Sequence, residues 1–416
     1  MQLSEFGEKF TQKSGILELM DDISSVFTST EKIYMLGGGN PAQIPEINAL
    51  WKSRLRELIE DEADFANSLT YYDSARGNIR FMTALAELLN REYDWGLSPE
   101  NIGLANGSQN GMFVLFNLFG GRDGNGGKRR IMLPLCPEYI GYADQLIEHD
   151  CFLSRRARIE EFDSHEFKYF VDFDNLDIPN DVGAICASRP TNPTGNVLTD
   201  AEVEKLSVMA EKKGIPLLLD NAYGAPFPNI IFQEVKPVWN ENIVLSMSLS
   251  KIGLPSSRTG IVIARKEIID ALSAANSIIS LANGTLGQNI ARPFVESGKI
   301  LEISRDIVRP YYEEKSRVTI EYIKEKFAST VDYKIHKSEG AIFLWIWFKN
   351  LKISSRELYQ RLKERNVLVI PSDYFFFGLD NQWQHSQECI RLNYSGATED
   401  VQRGIDIIAE EVAREV

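Results

Sequence analysis

Ile243-Val244-Leu245-Ser246-Met247-Ser248-Leu249-Ser250-Lys251 is the stretch on which the reading of this chain turns. Ile243–Ser246 reads as a strand that is apolar along its whole length. Such strands are buried on both faces, in parallel or mixed sheets covered by helices. Lys251 follows near the strand's carboxyl end, where open α/β sheets gather their ligands.

The same pattern recurs on both sides. Ile102–Ala105, Arg130–Leu135, Val182–Ala187, Pro216–Leu219 and Gly260–Ala264 are further apolar strand candidates. Helices near 108–119, 138–147 and 199–213 alternate with them. Upstream, a short helix at Leu17–Val26 and longer ones at 46–62 and 78–93 are expected. Residues 266–328 read as mostly helical, with Pro293 and Pro310 as breaks. Beyond them, strands at Tyr333–Lys337, Ala341–Phe348, Val367–Ile370 and Cys389–Tyr394 and helices at 354–365 and 398–414 suggest a smaller α+β domain. The expected division is a large domain over 46–300 and a small one from 1–45 and 301–416.

Composition narrows the function classes. The 416 residues carry a formal net charge of −14, which disfavours nucleic-acid partners. No stretch approaches a membrane span, and the N-terminus lacks the pattern of a secretory signal. The four cysteines form no framework spacing, and the four histidines form no ligand cluster. A reducing cytoplasm and no metal are therefore expected. The glycine-rich loop Gly120–Lys128 fails the phosphate-loop pattern, because Arg122 and Arg129 stand where glycine and a hydroxyl residue are required.

Five segments carry candidate chemistry. Lys251 is a nucleophile only where burial or nearby cations suppress its charge; Arg258 supplies such a cation and can also hold a phosphate. Leu217–Leu219 ends in Asp220, placed either to cap a turn or to pair with a protonated ring nitrogen. Ser188–Asn196 is a rigid turn, or a mount for the Asn192 amide. Ala105–Gln109 runs from strand to helix and offers backbone N–H groups to an anion. Arg391 lies inside the apolar strand Cys389–Tyr394 and needs an anion, either an internal acid or a substrate carboxylate.

Together and in this order, the Ser-Leu-Ser-Lys, Asp-Asn-Ala-Tyr, Asn-Pro-Thr-Gly and Arg-Leu-Asn-Tyr segments resemble class I aminotransferases of the aspartate aminotransferase fold. The resemblance implies fold type I of the pyridoxal 5'-phosphate (PLP) enzymes: an α/β large domain with a mostly parallel seven-stranded sheet between helices, and a smaller α+β domain. It implies that Lys251 is the Schiff-base lysine and proton shuttle, and that Asp220 partners the pyridine nitrogen. Tyr223 and Asn192 would bond the phenolic oxygen, and Tyr139 would stack on the ring. Ser108, Gln109, Ser248 and Arg258 would form the phosphate cup. Tyr72 would reach the phosphate of a neighbouring subunit in a homodimer with shared active sites. Arg391 would clamp the substrate carboxylate, with Gly39 and Asn192 lining its pocket.

The implied reaction moves an amino group between small-molecule amino acids and 2-keto acids in two half-reactions. A dicarboxylate substrate would call for a second cation on the stretch Ser277–Gln288, and Lys and Arg are both missing there. A small apolar side chain is therefore favoured over that of aspartate or glutamate, and the resemblance implies L-alanine or L-valine. The alternatives are an aromatic or broad-range aminotransferase, a lyase on the same scaffold, or a non-catalytic effector-binding module.

Overall fold

A computed structural model of the chain describes all residues except 29–30, 163–164, 328–330, 350 and 416. Its centre is a sheet of seven long strands: β1 (Ile102–Ala105), β2 (Lys128–Cys136), β3 (Phe152–Arg156), β4 (Val182–Ser188), β5 (Leu217–Asp220), β6 (Ile243–Ser248) and β7 (Gly260–Ile263). The spatial order is β1-β7-β6-β5-β4-β2-β3, and a two-residue strand, Gly121–Arg122, pairs with the start of β2. All neighbours are parallel except β7, which runs antiparallel to β6 and β1. Strands β1, β4, β5, β6 and β7 are buried at every residue, which is why they read as continuous apolar runs. This is the mostly parallel seven-stranded sheet expected.

Helices cover both faces and are set by local signals. Asn78 caps the helix Ile79–Tyr93 by accepting from the Phe81 N–H at 3.1 Å, and Phe81, Leu85, Leu88 and Leu89 form its buried stripe. Thr199 and Glu202 cap Asp200–Lys212 reciprocally. The helix Ser108–Phe119 starts directly after β1.

A second, six-stranded sheet has Phe343–Phe348 and Tyr333–His336 at its centre, with Cys389–Asn393 beside Phe343–Phe348. It also recruits the hairpin Arg158–Phe162 and Glu166–Phe170, which pairs with Tyr333–His336. We propose the division into 46–300 and 1–45 with 301–416, the hairpin crossing it. The N-terminal segment joins the smaller unit through Tyr34–Met35, parallel to Val367–Leu368.

Three local expectations differ from the structure. Residues 138–147 form no α-helix; only a short 3-10 turn, Ile140–Tyr142, is present. Side chains replace the helical ladder there: Asn117 donates to Gln145 O at 2.8 Å, and Gln145 donates to Gln109 O at 3.0 Å. Pro293 lies inside the helix Leu286–Glu296 without ending it. Pro310 does not end a helix either: it lies in one continuous helical run, Lys299–Phe327, directly after the π turn Ser304–Val308.

The buried Tyr312 hydroxyl accepts from the Ala42 N–H at 2.7 Å and ties the N-terminal segment to the helix Arg309–Phe327. Tyr312→Phe strands that N–H, and urea unfolding is expected to show a loss of about 1–3 kcal/mol. An unchanged midpoint would remove this tie from the account.

Candidate active site

The carboxyl ends of β4, β5 and β6 lie side by side. Register pairs Ser188 and Ser246 with Asp220, and Ser248 with Gly260. Because β7 runs the opposite way, its start falls on the same edge, next to the end of β1. Here the backbones meet closely: a Cβ on Gly260 would collide with the Gly107 carbonyl carbon and the Ser108 nitrogen. Gly107, at φ +90°, leaves its side-chain space to the Arg258 guanidinium.

That junction is an anion cradle. The first turn of Ser108–Phe119 presents amides that lack intrahelical partners, and its dipole favours negative charge. Arg258 stands beside it. The Ser248 hydroxyl donates to Ser250 Oγ at 3.0 Å and accepts from the Ser250 N–H at 3.1 Å. The Gln109 side chain is turned aside, donating to Gly141 O at 3.0 Å.

Lys251 sits in the short turn Ser250–Ile252, fixed by the buried Leu249 and Ile252 on either side. Trp51 Nε1 donates to Ile252 O at 2.9 Å. Lys251 Nζ donates to Gly39 O at 2.6 Å and lies 5.2 Å from the Tyr223 ring centre. Burial, with the Arg391 and Arg258 cations behind it, lowers its pKa to about 8. An amine so placed spends an appreciable fraction of its time neutral near physiological pH.

Asp220 is buried at the floor of the site. Its Oδ2 accepts from the Tyr142 hydroxyl and its Oδ1 from the Ala222 N–H at 2.9 Å. Burial raises its pKa, and these two bonds work against the rise. Beneath it, Glu138 is fully buried, and burial pushes its carboxyl up to about 8. Glu138 accepts from the Ser188 N–H at 2.8 Å, the Ser188 hydroxyl at 2.7 Å and the Tyr139 N–H at 3.1 Å.

Arg391 closes the opposite side. Its guanidinium is buried over the Phe343 ring at 4.2 Å and faces Phe375 at 5.5 Å. It donates to Asn192 Oδ1 at 2.7 Å and to Gly37 O, both neutral acceptors, and its Nε has no partner. Among the described residues no carboxylate pairs with it. Burial lowers its pKa to about 10. A buried cation with an open donor is a receptor for an anion.

One cavity of about 330 Å³ joins these groups: Lys251, Asp220, Tyr223, Asn192, Ser108, Gln109, Tyr139, Ser248, Arg258, Arg391 and Gly39 all line it. Tyr72 does not. It is 85% exposed and lines a separate hollow with Tyr71, Asp73 and Asn78. The stretch Ser277–Gln288 does not reach the cavity either.

The structure adds residues that sequence reasoning missed. Tyr142 reaches Asp220 because a 3-10 turn eclipses i and i+3, bringing its ring within 5.2 Å of Tyr139; the helical reading of 138–147 hid this. Ile16, Leu19 and Met20 of the helix Gly15–Thr28 form an apolar wall of the cavity. That helix is bonded to the smaller unit through Glu18 to the Tyr374 hydroxyl and Asp22 to the Tyr359 hydroxyl. Nothing in the sequence alone announced this placement. Among the described residues no group of His, Cys, Asp or Glu is arranged to hold a metal ion, and no helix is long and apolar enough to cross a membrane.

Comparison with known proteins gives a consistent answer. A family model described as aminotransferase class I and II matches residues 46–408. A valine–pyruvate aminotransferase of Escherichia coli (strain K12) is 47% identical over 100% of this chain and 99% of its own length. The crystal structure of valine-pyruvate aminotransferase AvtA from Salmonella typhimurium LT2 superposes with a TM-score of 0.89 at 46% identity, over 96% of this chain and 99% of that one. A solved structure from Psychrobacter arcticum 273-4 gives a TM-score of 0.97 at 43% identity, over 100% and 99%.

Arg391→Met removes a cation that disfavours charging Lys251, so the Lys251 pKa is expected to rise above about 8. Competitive amine labelling, read by mass spectrometry across roughly pH 7–10, follows that titration. A pKa that stays put or falls would break the electrostatic link between the two residues.

Proposed function

The chain belongs to the class I and II aminotransferases, and from that premise we propose that it exchanges the amino group between L-alanine or L-valine and pyruvate or 3-methyl-2-oxobutanoate. It is a transaminase, and members of its family work with PLP. The observation that carries the proposal is the lowered-pKa amine of Lys251, set between a buried acid and a buried arginine that lacks a counter-anion.

The donor set fits the cofactor. The cradle of Ser108, Gln109, Ser248 and Arg258 suits its phosphate. The buried Asp220 suits a ring N–H, held in place by Tyr142. Tyr223 and Asn192 offer polar groups for a phenolate oxygen, and Tyr139 offers a flat wall for a ring. When bound, PLP supplies an electron-accepting ring that stabilises the charge left on the substrate's Cα.

The chain's own residues do the rest. Arg391 and Asn192 hold the substrate carboxylate, orienting Cα toward Lys251. Lys251 Nζ would accept the Cα proton and hold it as an ammonium. Asp220 offers its carboxyl group at the cavity floor. Gly39 presents no side chain, and a Cβ there would meet only open space, so the backbone leaves room for the substrate. Ile16, Leu19 and Met20 exclude water and receive a small apolar side chain. With no cation among them, an acidic side chain finds no partner.

We also propose a homodimer. Tyr71, Tyr72, Leu69, Ile278 and Leu281 are exposed apolar or aromatic residues. The segments carrying them are tied together, with Asn283 donating to Ala75 O at 2.9 Å. An exposed apolar surface of this kind suits a second copy, and Tyr72 would then contribute to the partner's cradle. A cytoplasmic location accords with four cysteines that are all free and buried.

Borohydride treatment of the wild-type holoenzyme is expected to fix the cofactor on the peptide carrying Lys251, and Lys251→Ala to abolish both the fixation and the visible absorbance. Covalent retention in that variant would refute the assignment. In kinetics with alanine, valine, glutamate and phenylalanine as donors, alanine and valine should lead. A marked preference for glutamate would reject the substrate reading.

A further inference from the structure

Lys168 and Glu339 form a buried ion pair outside the cavity, with side chains 6% and 3% exposed. Lys168 lies on the strand Glu166–Phe170 of the second sheet. Its Nζ also donates to Asn196 Oδ1 at 3.1 Å and to Val197 O at 3.2 Å. Glu339 Oε2 accepts from the Val197 N–H at 3.0 Å. Both partners thus grip the far end of the turn that carries Asn192.

That turn has little freedom. The Thr191 N–H donates to Asn196 O at 2.9 Å, and the Gly195 N–H donates to Thr191 O at 2.8 Å. Gly195, at φ +71°, has the Gly340 carbonyl oxygen 2.6 Å from where a Cβ would stand. Glu339 in turn begins the segment that leads to Phe343, the ring under Arg391. The Tyr394 hydroxyl donates to Ala341 O at 2.8 Å within that segment. One ion pair therefore joins the mount of Asn192 to the platform of Arg391.

We propose that Lys168 and Glu339 are a positioning pair that sets Asn192 against Arg391 and so shapes the clamp for the substrate carboxylate. The proposal rests on reading Arg391 and Asn192 as that clamp. Net stability does not explain the pair, because replacing a buried ion pair by well-packed neutral groups is often neutral or stabilising. Geometry does: Asn192 Oδ1 is the one side-chain acceptor of Arg391 among the described residues, so a shift of the turn moves the guanidinium's partner directly.

The test is the double variant Lys168→Met with Glu339→Gln in the holoenzyme. It removes both charges and keeps an amide oxygen for the Val197 N–H. The expected result is a KM for alanine raised about ten-fold, an inhibition constant for propionate raised to match, and a kcat within about three-fold. Propionate has a carboxylate and no amine, so it reads the clamp without the chemistry. Arg391→Lys is the control and should raise both constants. If it does and the double variant leaves both within two-fold, the pair is structural only and the proposal falls. If Arg391→Lys leaves both unchanged, the clamp reading itself fails, and the proposal with it. Should the double variant not fold, Asn196→Ala removes one of the two bonds by which Lys168 holds the turn, sparing the pair and the bond to Val197 O. A smaller rise, of about three-fold in both KM and the propionate constant, is expected there, and unchanged values would overturn the proposal.

Discussion

Everything around the cavity is arranged for the charge on Arg391. A guanidinium at 1% exposure with no carboxylate beside it is costly to bury. The fold meets part of that cost with two neutral acceptors and the faces of Phe343 and Phe375, whose quadrupoles attract a cation. The remainder stays as a field in the cavity. The same field helps depress Lys251 to about pKa 8. On the reading proposed here, a carboxylate docking on Arg391 cancels part of that field, and Lys251 becomes a stronger base as the substrate arrives. The clamp and the base are therefore coupled through space as well as through shared geometry.

Topology brings these charges together. Parallel strands deliver their carboxyl ends to one edge, which accounts for Ser188, Asp220 and Ser248. A purely parallel sheet would send the residues preceding β7 to the opposite edge. The reversal of β7 returns Arg258 to the site and sets it against Gly107, at the head of the helix Ser108–Phe119. One antiparallel strand thus brings a cation and a helix N-terminus to the same place. Arg391 comes from the other sheet, so the site exists only because both sheets bring residues to one cavity.

Legibility followed burial. Strands enclosed on both faces showed as apolar runs, and Ile102–Ala105 and the helix 108–119 were readable to the residue. The strands Phe152–Arg156 and Arg158–Phe162 were not, because Arg155, Arg156, Arg158, Glu160 and Glu161 give an exposed edge a loop-like composition. Pairing in the second sheet is also non-local: Glu166 meets Ile335, 169 residues later. In the site, residues on strand ends were legible because a polar residue after an apolar run is a local signal. Tyr142, Ile16, Leu19 and Met20 reach the cavity through a turn type and a helix docking that no local pattern encodes. Tyr72 differs again: its proposed role needs a second chain.

The cavity is polar along one axis. Asp220 lies at its floor, Arg258 marks one end and Arg391 the other, with Lys251 between them. On the reading proposed here, a zwitterionic amino acid entering such a field has one favourable orientation, its carboxylate toward Arg391 and its amine away from that cation. That orientation places Cα within the reach of Lys251 before any side-chain contact is made. Recognition of the α-amino acid core is therefore electrostatic and general, and only the apolar wall of Ile16, Leu19 and Met20 is left to distinguish one side chain from another. A wall of that kind separates substrates by about 1–3 kcal/mol per methylene. Neighbouring aliphatic amino acids are then discriminated weakly, while charged ones are excluded by the missing counter-charge.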